Sequence, residues 1–234
     1  MGSIIQEILY SLSSKKAEVA ALPSSLGDVH HVAISVLSEV IASSTDSLAR
    51  LAKASYVHAN GFEKLVCGAT APEGFKIRLH VWSAAANDAQ THDHGWSFYS
   101  HILLGSISST EYEVDTEPGA HSVYRIPNLR AREAGATLKC MQRNVSLRAS
   151  SQRTLTGGEG YGLPSNKLHR VVTSRASGAV TLVLQSHHTQ AYSHVVLTQG
   201  QAIANAYPTK KFSTVAFVER LIDLRQQLLE KRPD

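Results

Sequence analysis

Several kinds of protein are excluded by what this chain has little of. Its 234 residues include two cysteines, Cys67 and Cys140, far apart and in no C-x-x-C spacing, so neither a disulfide framework nor a zinc finger is indicated. Its 23 basic residues outnumber 19 acidic ones by too little to give more than a formal +4. They are scattered along the chain, which gives a nucleic-acid partner no electrostatic footprint. No segment reaches the roughly 18 apolar residues of a membrane helix. The first ten residues lack the basic start and apolar run of a secretory signal. The expectation is a soluble cytoplasmic protein without nucleic-acid or membrane partners, as a monomer or homodimer. At 43% hydrophobic content the length suits one well-buried domain with additions better than two domains.

What is present falls into three stretches, expected as an N-terminal helical extension (residues 1–55), a β-barrel (56–200) and a C-terminal helical extension (201–234). Ile4, Ile5, Ile8, Leu9 and Leu12 recur at helical spacing. So do Val32, Ile34, Val36, Leu37, Val40, Ile41, Leu48 and Leu51 in a second stretch from about Gly27 to Ala54, broken at 43–46. Pro23 to Gly27 separates the two. From about Phe62 the period becomes two, with short apolar runs near 75–82, 98–104, 107–114, 121–126, 145–148, 169–173, 179–185 and 192–197. Many short strands between Gly, Pro, Asn and Ser clusters indicate a sandwich or barrel. Residues 118–152 are the least patterned and read as hairpin and loop. The chain closes on a helix near Ser213 to Lys231, N-capped by Ser213, with Val215, Phe217, Val218, Leu221, Ile222, Leu224, Leu228 and Leu229 as its apolar stripe.

The chemistry is concentrated in two motifs. In Thr91-His92-Asp93-His94-Gly95-Trp96-Ser97-Phe98 a strand puts His92 and His94 on one face. In the segment from Gly158 to His169, with Pro164 and Asn166 between them, His169 begins a later strand that can bring a third imidazole opposite. Three neutral nitrogen ligands suit iron, zinc, copper or nickel better than magnesium or calcium and leave positions open.

The second motif follows the cupin spacing G-x5-P-x-G-x2-H with Asn166 in the last Gly slot, a mild change because Asn tolerates the left-handed turn conformation. The first follows the cupin spacing too, with Phe98 in the slot usually held by Glu. From about Tyr56 to His188 the chain resembles the cysteine dioxygenase-like, or thiol dioxygenase, branch of the cupins, through Leu79-His80-Val81-Trp82, His92-Asp93-His94, Leu103-Leu104-Gly105, Leu168-His169-Arg170-Val171 and Leu184-Gln185-Ser186. The resemblance implies a mainly β fold, a cupin jelly-roll barrel with helices added at both ends. It also implies an Fe(II) site of His92, His94 and His169, with Zn, Ni and Cu as alternative ions.

The departures fall on substrate recognition. The family's carboxylate-gripping Arg falls at His58, two residues after Tyr56; its active-site Tyr falls at Gln185; its cross-linking Cys falls at Phe98. Free cysteine is therefore not the expected substrate. The resemblance also turns Trp82 inward, and parity then carries His80 and Arg78 with it. Patterning alone favours the reverse, with Phe75, Ile77, Leu79 and Val81 filling the core and the polar face in solvent. An inward Arg78 could hold a carboxylate or phosphate.

The expected function is an oxygenase acting with O2 on a small thiol or small organic acid. In it His58, Tyr56 and Gln185 handle substrate or protons, and Arg78, His80, Trp82, Trp96 and Phe98 form the pocket. A non-oxidative metal-dependent cupin (isomerase, lyase or hydrolase) and a cupin binding module are the alternatives. Among the rest, Asp93 is expected on the opposite face in a structural role, and Glu111 and Glu113 lie too far along to fill the carboxylate slot. His101 points away from the metal unless a bulge rotates it, His187 and His188 go to solvent, and His30, His31, His121 and His194 carry no spacing signal.

Overall fold

A computed structural model describes residues 3–14, 28–58, 61–70, 74–84, 90–127, 137–173, 178–198 and 210–231. The expected break at Pro23 to Gly27 lies outside them. Of the described residues 51% are strand and 28% helix, a mainly β chain with helices towards both ends. The helices are α1 (Ile4–Ser14), α2 (Val29–Ile41), α3 (Thr45–Ala54) and α4 (Thr214–Glu230). Asp28, Ser44 and Ser213 cap the last three by accepting from the backbone N–H groups of His31, Ser47 and Ala216, which satisfies donors the first turn cannot. α2 and α3 meet at a bend of 119° where the sequence pattern breaks. No single described helix is long and apolar enough to cross a membrane.

The strands are β1 (Tyr56–Val57), β2 (Phe62–Ala69), β3 (Lys76–Trp82), β4 (Thr91–His92), β5 (Phe98–Pro127), β6 (Lys139–Thr156), β7 (Gly160–Leu163), β8 (Leu168–Thr173), β9 (Ala179–Gln185), β10 (Tyr192–Thr198) and β11 (Lys210–Lys211). All described pairings are antiparallel. The long β5 joins two faces. Its first residues pair with β9 and β7 in one sheet, which continues through β3, β2, β1 and β11. Its later residues pair with β8, β6 and β10 in the other, where β4 lies between β8 and β10.

The described parts of the stretch 118–152 are more regular than its composition suggests; residues 128–136 lie outside the described ones. Residues 118–127 and 139–152 are strand, a continuation of the β5–β6 ladder with register shifts near Pro118 and His121. Alternation is hidden because most of β6 is exposed and polar on both faces.

The helices decide how β3 is used. Ile77, Leu79 and Val81 belong to one apolar cluster with Ile5, Val36, Leu37, Val40, Phe217 and Leu221, so the apolar face of the strand lies under the helical layer. Arg78, His80 and Trp82 point the other way and are buried as well. Patterning was right about which residues meet the apolar core, and its corollary that the polar face is solvated is overturned. A strand buried on both faces cannot reveal from alternation alone which side holds the cavity.

In α4 only Phe217, Leu221, Leu224 and Leu228 are buried. Val215, Ile222 and Leu229, part of the expected stripe, are 67%, 49% and 51% exposed. The buried set spans a narrower arc than the sequence pattern drew.

Candidate metal centre

A cavity of about 220 Å³ lies between the two sheets. One wall carries the histidines. His92 in β4 pairs directly with His169 in β8, and His94 follows two residues later. The candidate ligand nitrogens of His92, His94 and His169 all lie within 4.8 Å of one another, and Nε2 of His94 stands 3.1 Å from Nε2 of His169. Nitrogens bound roughly 2.0–2.1 Å from one ion, at tetrahedral or octahedral angles, stand about 2.9–3.4 Å apart, so this pair is already at ligating separation. His92 Nδ1 lies 2.9 Å from the carbonyl of Gln90, which leaves Nε2 for an ion and orients the ring. Burial first, then the neighbouring His92, holds His94 and His169 well below the ordinary histidine pKa. They are therefore in the neutral form that binds metal. The donor chemistry of all three, with the separation of His94 and His169 and the neutral form of those two rings, fits a transition-metal ion.

Around them sits an aromatic shell. Trp96 stacks on His94 with ring centroids 4.2 Å apart, and Phe98 lies 5.6 Å from His94 and 5.7 Å from His169. The slot of the first motif that the resemblance gives to a carboxylate thus holds a phenyl ring beside two of the histidines. Glu111 lies directly across from His169 in the β5–β8 register, but it is engaged by Arg153 and Lys167 and does not line the cavity.

The opposite wall comes from β2, β3 and β9. Trp82, His80 and His58 line the cavity, with Phe62 stacked between His58 and Trp82 at centroid distances of 4.7 and 3.9 Å. Arg78 shares the face of His80 and Trp82 but lies beside the lining, its guanidinium carbon 5.4 Å from the Trp96 ring. Tyr56 pairs with Lys64 and so shares its face, and it too is outside the lining. Gln185 is fully buried, with Nε2 3.4 Å from the carbonyl of Gly74 and Oε1 without a partner; it does not reach the lining either. Of the three residues expected to handle substrate and protons, His58 alone lines the cavity.

His58 is pushed down to about 2, mainly by burial and then by Lys64, and His80 is held well below its ordinary value by the same causes. Tyr56 is pulled below the usual phenol value, first by Lys64 and then by Arg78 and Lys211, against the opposing effect of burial.

Sequence reasoning missed Lys64, Phe62, Tyr161, Thr181 and Val183, all on the wall. Phe62 and Lys64 are two apart on a strand and share a face, a signal that was present. It had no weight until β2 was known to pair with β3. Asp93, expected on the opposite face, is buried and contributes to the cavity lining; its carboxylate accepts from the backbone N–H of His194 and meets that ring's Nδ1 at 2.7 Å. This fastens the His92–His94 segment to β10. His101 faces the helical side, where its Nδ1 meets the Tyr99 hydroxyl at 3.2 Å, and His187 and His188 are exposed.

No protein-family model matches the chain, and no curated protein matches it. Solved structures similar to it include the cupin domain of Schizosaccharomyces pombe Cnp3, 9% identical with a TM-score of 0.32, over 55% of this chain and 62% of that one. Hydroquinone 1,2-dioxygenase PnpCD, in a complex with Cd2+ and 4-hydroxybenzonitrile, is 15% identical over 68% of this chain and 76% of that one, with a TM-score of 0.32. The Fe(II) form of HppE is 13% identical over 78% and 98%, with a TM-score of 0.32. The chain spans less than two thirds of the Cnp3 domain.

Proposed function

We propose that this protein is a non-haem Fe(II)-dependent oxygenase of the cupin type that acts with O2 on a small thiol or small organic acid other than free cysteine. The observation that carries this reading is the convergence of His92, His94 and His169, the first two half-buried and the third buried, on one cavity with no carboxylate ligand among them. When bound, a ferrous ion would supply open coordination positions and electron transfer to dioxygen, with its positive charge undiminished by an anionic ligand.

The chain's own residues do the rest. His92, His94 and His169 would hold the ion. Trp82, Trp96, Phe62 and Phe98 exclude water from the space beside it. His58 and His80, both held neutral chiefly by burial, can each accept a hydrogen bond at one ring nitrogen while donating one from the other, and so orient a substrate. Replacement of the carboxylate grip and tyrosine of the cysteine-oxidising enzymes by His58 and Gln185 removes what would orient an amino acid thiol.

The test is O2 uptake by anaerobically reconstituted protein offered a panel of small thiols and small acids. Uptake that depends on both iron and one compound class, and is absent with free cysteine, supports the reading. Turnover that persists without O2 would move the site to non-oxidative Lewis-acid chemistry.

A further inference from the structure

The sheet that carries the metal ligands has a second hollow on its other face. The bent β5 pairs with β8 through its first half and with β10 through its second, so these strands and the β4 between them form a ring. Alternation turns Leu168, next to His169, and His194 and Val196, on either side of Val195, away from the metal cavity. Leu168 and Val196 pack there with Val123 and Val145. Beside this cluster lies an open groove of about 400 Å³, with Val114, Val123, Leu168 and Met141 as its apolar walls and Asp93 and His194 at its polar end. Asp93 and His194 also border the metal cavity, so the pair stands between the two spaces.

That pair gives the groove a chemical preference. Oδ2 of Asp93 lies 2.7 Å from Nδ1 of His194, and because a carboxylate only accepts, Nδ1 carries a proton. Nε2 remains for a ligand: it has no partner among the described residues, and the side chain is 26% exposed. A neutral ring accepts at Nε2 and a charged ring donates from it, and a hydroxyl group can pair with either form. The other walls are aliphatic, and Met141, 43% exposed, offers a thioether of the kind that packs favourably on an aromatic ring. The volume falls within the roughly 300–1,000 Å³ of small-molecule sites.

We propose that this groove is a second binding site, for a small phenol whose hydroxyl pairs with Nε2 of His194 and whose ring lies between Met141 and the Val123–Leu168 wall. The site is distinct from the metal cavity and needs no ion there.

The experiment uses the full chain without metal, which separates it from the oxygenase reading. Met141 and Met1 are the two methionines of the chain, so NMR of protein labelled with 13C at the methionine methyl groups gives a signal inside the groove. The protein is titrated with p-cresol and with 4-methylanisole, which keeps the ring and lacks the hydroxyl donor. The Met141 signal is expected to shift saturably with p-cresol and to need at least about tenfold more 4-methylanisole, the scale of one net hydrogen bond. His194→Asn, whose amide can still bond Asp93 while Nε2 is removed, should weaken p-cresol by the same factor and leave 4-methylanisole unchanged. Thermal unfolding checks that the variant folds; if it does not, Val114→Trp, which fills the groove, is used and should abolish the shift. No saturable shift of Met141 with p-cresol, equal affinity for the two probes, or undiminished p-cresol binding by folded His194→Asn or Val114→Trp would overturn the assignment, whether or not the three histidines hold iron.

Discussion

At the scale of single residues the account turns on position 98. A phenyl ring stands about as close to His94 and His169 as they stand to one another: 5.6 and 5.7 Å against 5.2 Å between ring centroids. In Phe98→Glu the metal-free protein should be less stable, because a carboxylate is buried without a partner. Divalent metal should bind at least about tenfold tighter, equivalent to roughly 1.4 kcal/mol, and raise the unfolding temperature by more than it does in the unsubstituted protein. Parallel metal titrations and thermal melts check this; unchanged affinity would mean that position 98 does not face the ion.

Individual residues were legible where one backbone requirement or one spacing fixed them. Asn166 adopts φ 68°, the left-handed conformation its place in the second motif demands. His92, His94 and His169 were legible because strand parity and motif spacing act locally. Lys64 and the Asp93–His194 contact were not, since both depend on which distant strand lies alongside.

At the scale of elements, α4 shows how packing selects within an amphipathic pattern. Phe217, Leu221, Leu224 and Leu228 reach the shared core, while Val215, Ile222 and Leu229 do not. Phe217→Ala should therefore cost about 3–5 kcal/mol, and Ile222→Ala no more than about 0.5 kcal/mol, in urea unfolding; similar losses at the two positions would contradict this docking. β3 makes the same point in reverse. Its alternation was plain in the sequence, but which face met the cavity was set by helices from both ends of the chain covering Ile77, Leu79 and Val81. Alternation identifies two faces and cannot name what each one meets.

At the scale of the whole molecule, buried neutral histidines tie stability to pH. His58 and His80 have folded pKa values far below the 6.5 of an exposed histidine, chiefly through burial. Below pH 6.5 the unfolded chain takes up protons that the folded chain refuses, so stability is fully present above that pH and falls as pH drops. Each such histidine contributes a slope of roughly 1.4 kcal/mol per pH unit. Urea unfolding of the metal-free protein between pH 7.5 and 5 should show this decline, and His80→Phe should flatten it by about one such increment; equal slopes would place His80 outside the buried wall.

The central claim is that three histidines from β4, the turn after it, and β8 share one ion. Its most direct measurement is metal content after anaerobic reconstitution with Fe(II) and removal of excess, for the unsubstituted protein and for His169→Ala. The account predicts close to one iron per chain in the first and loss of at least about nine tenths of it in the second, with the variant still folded. Iron absent from the unsubstituted protein, or retained equally by folded His169→Ala, would contradict it.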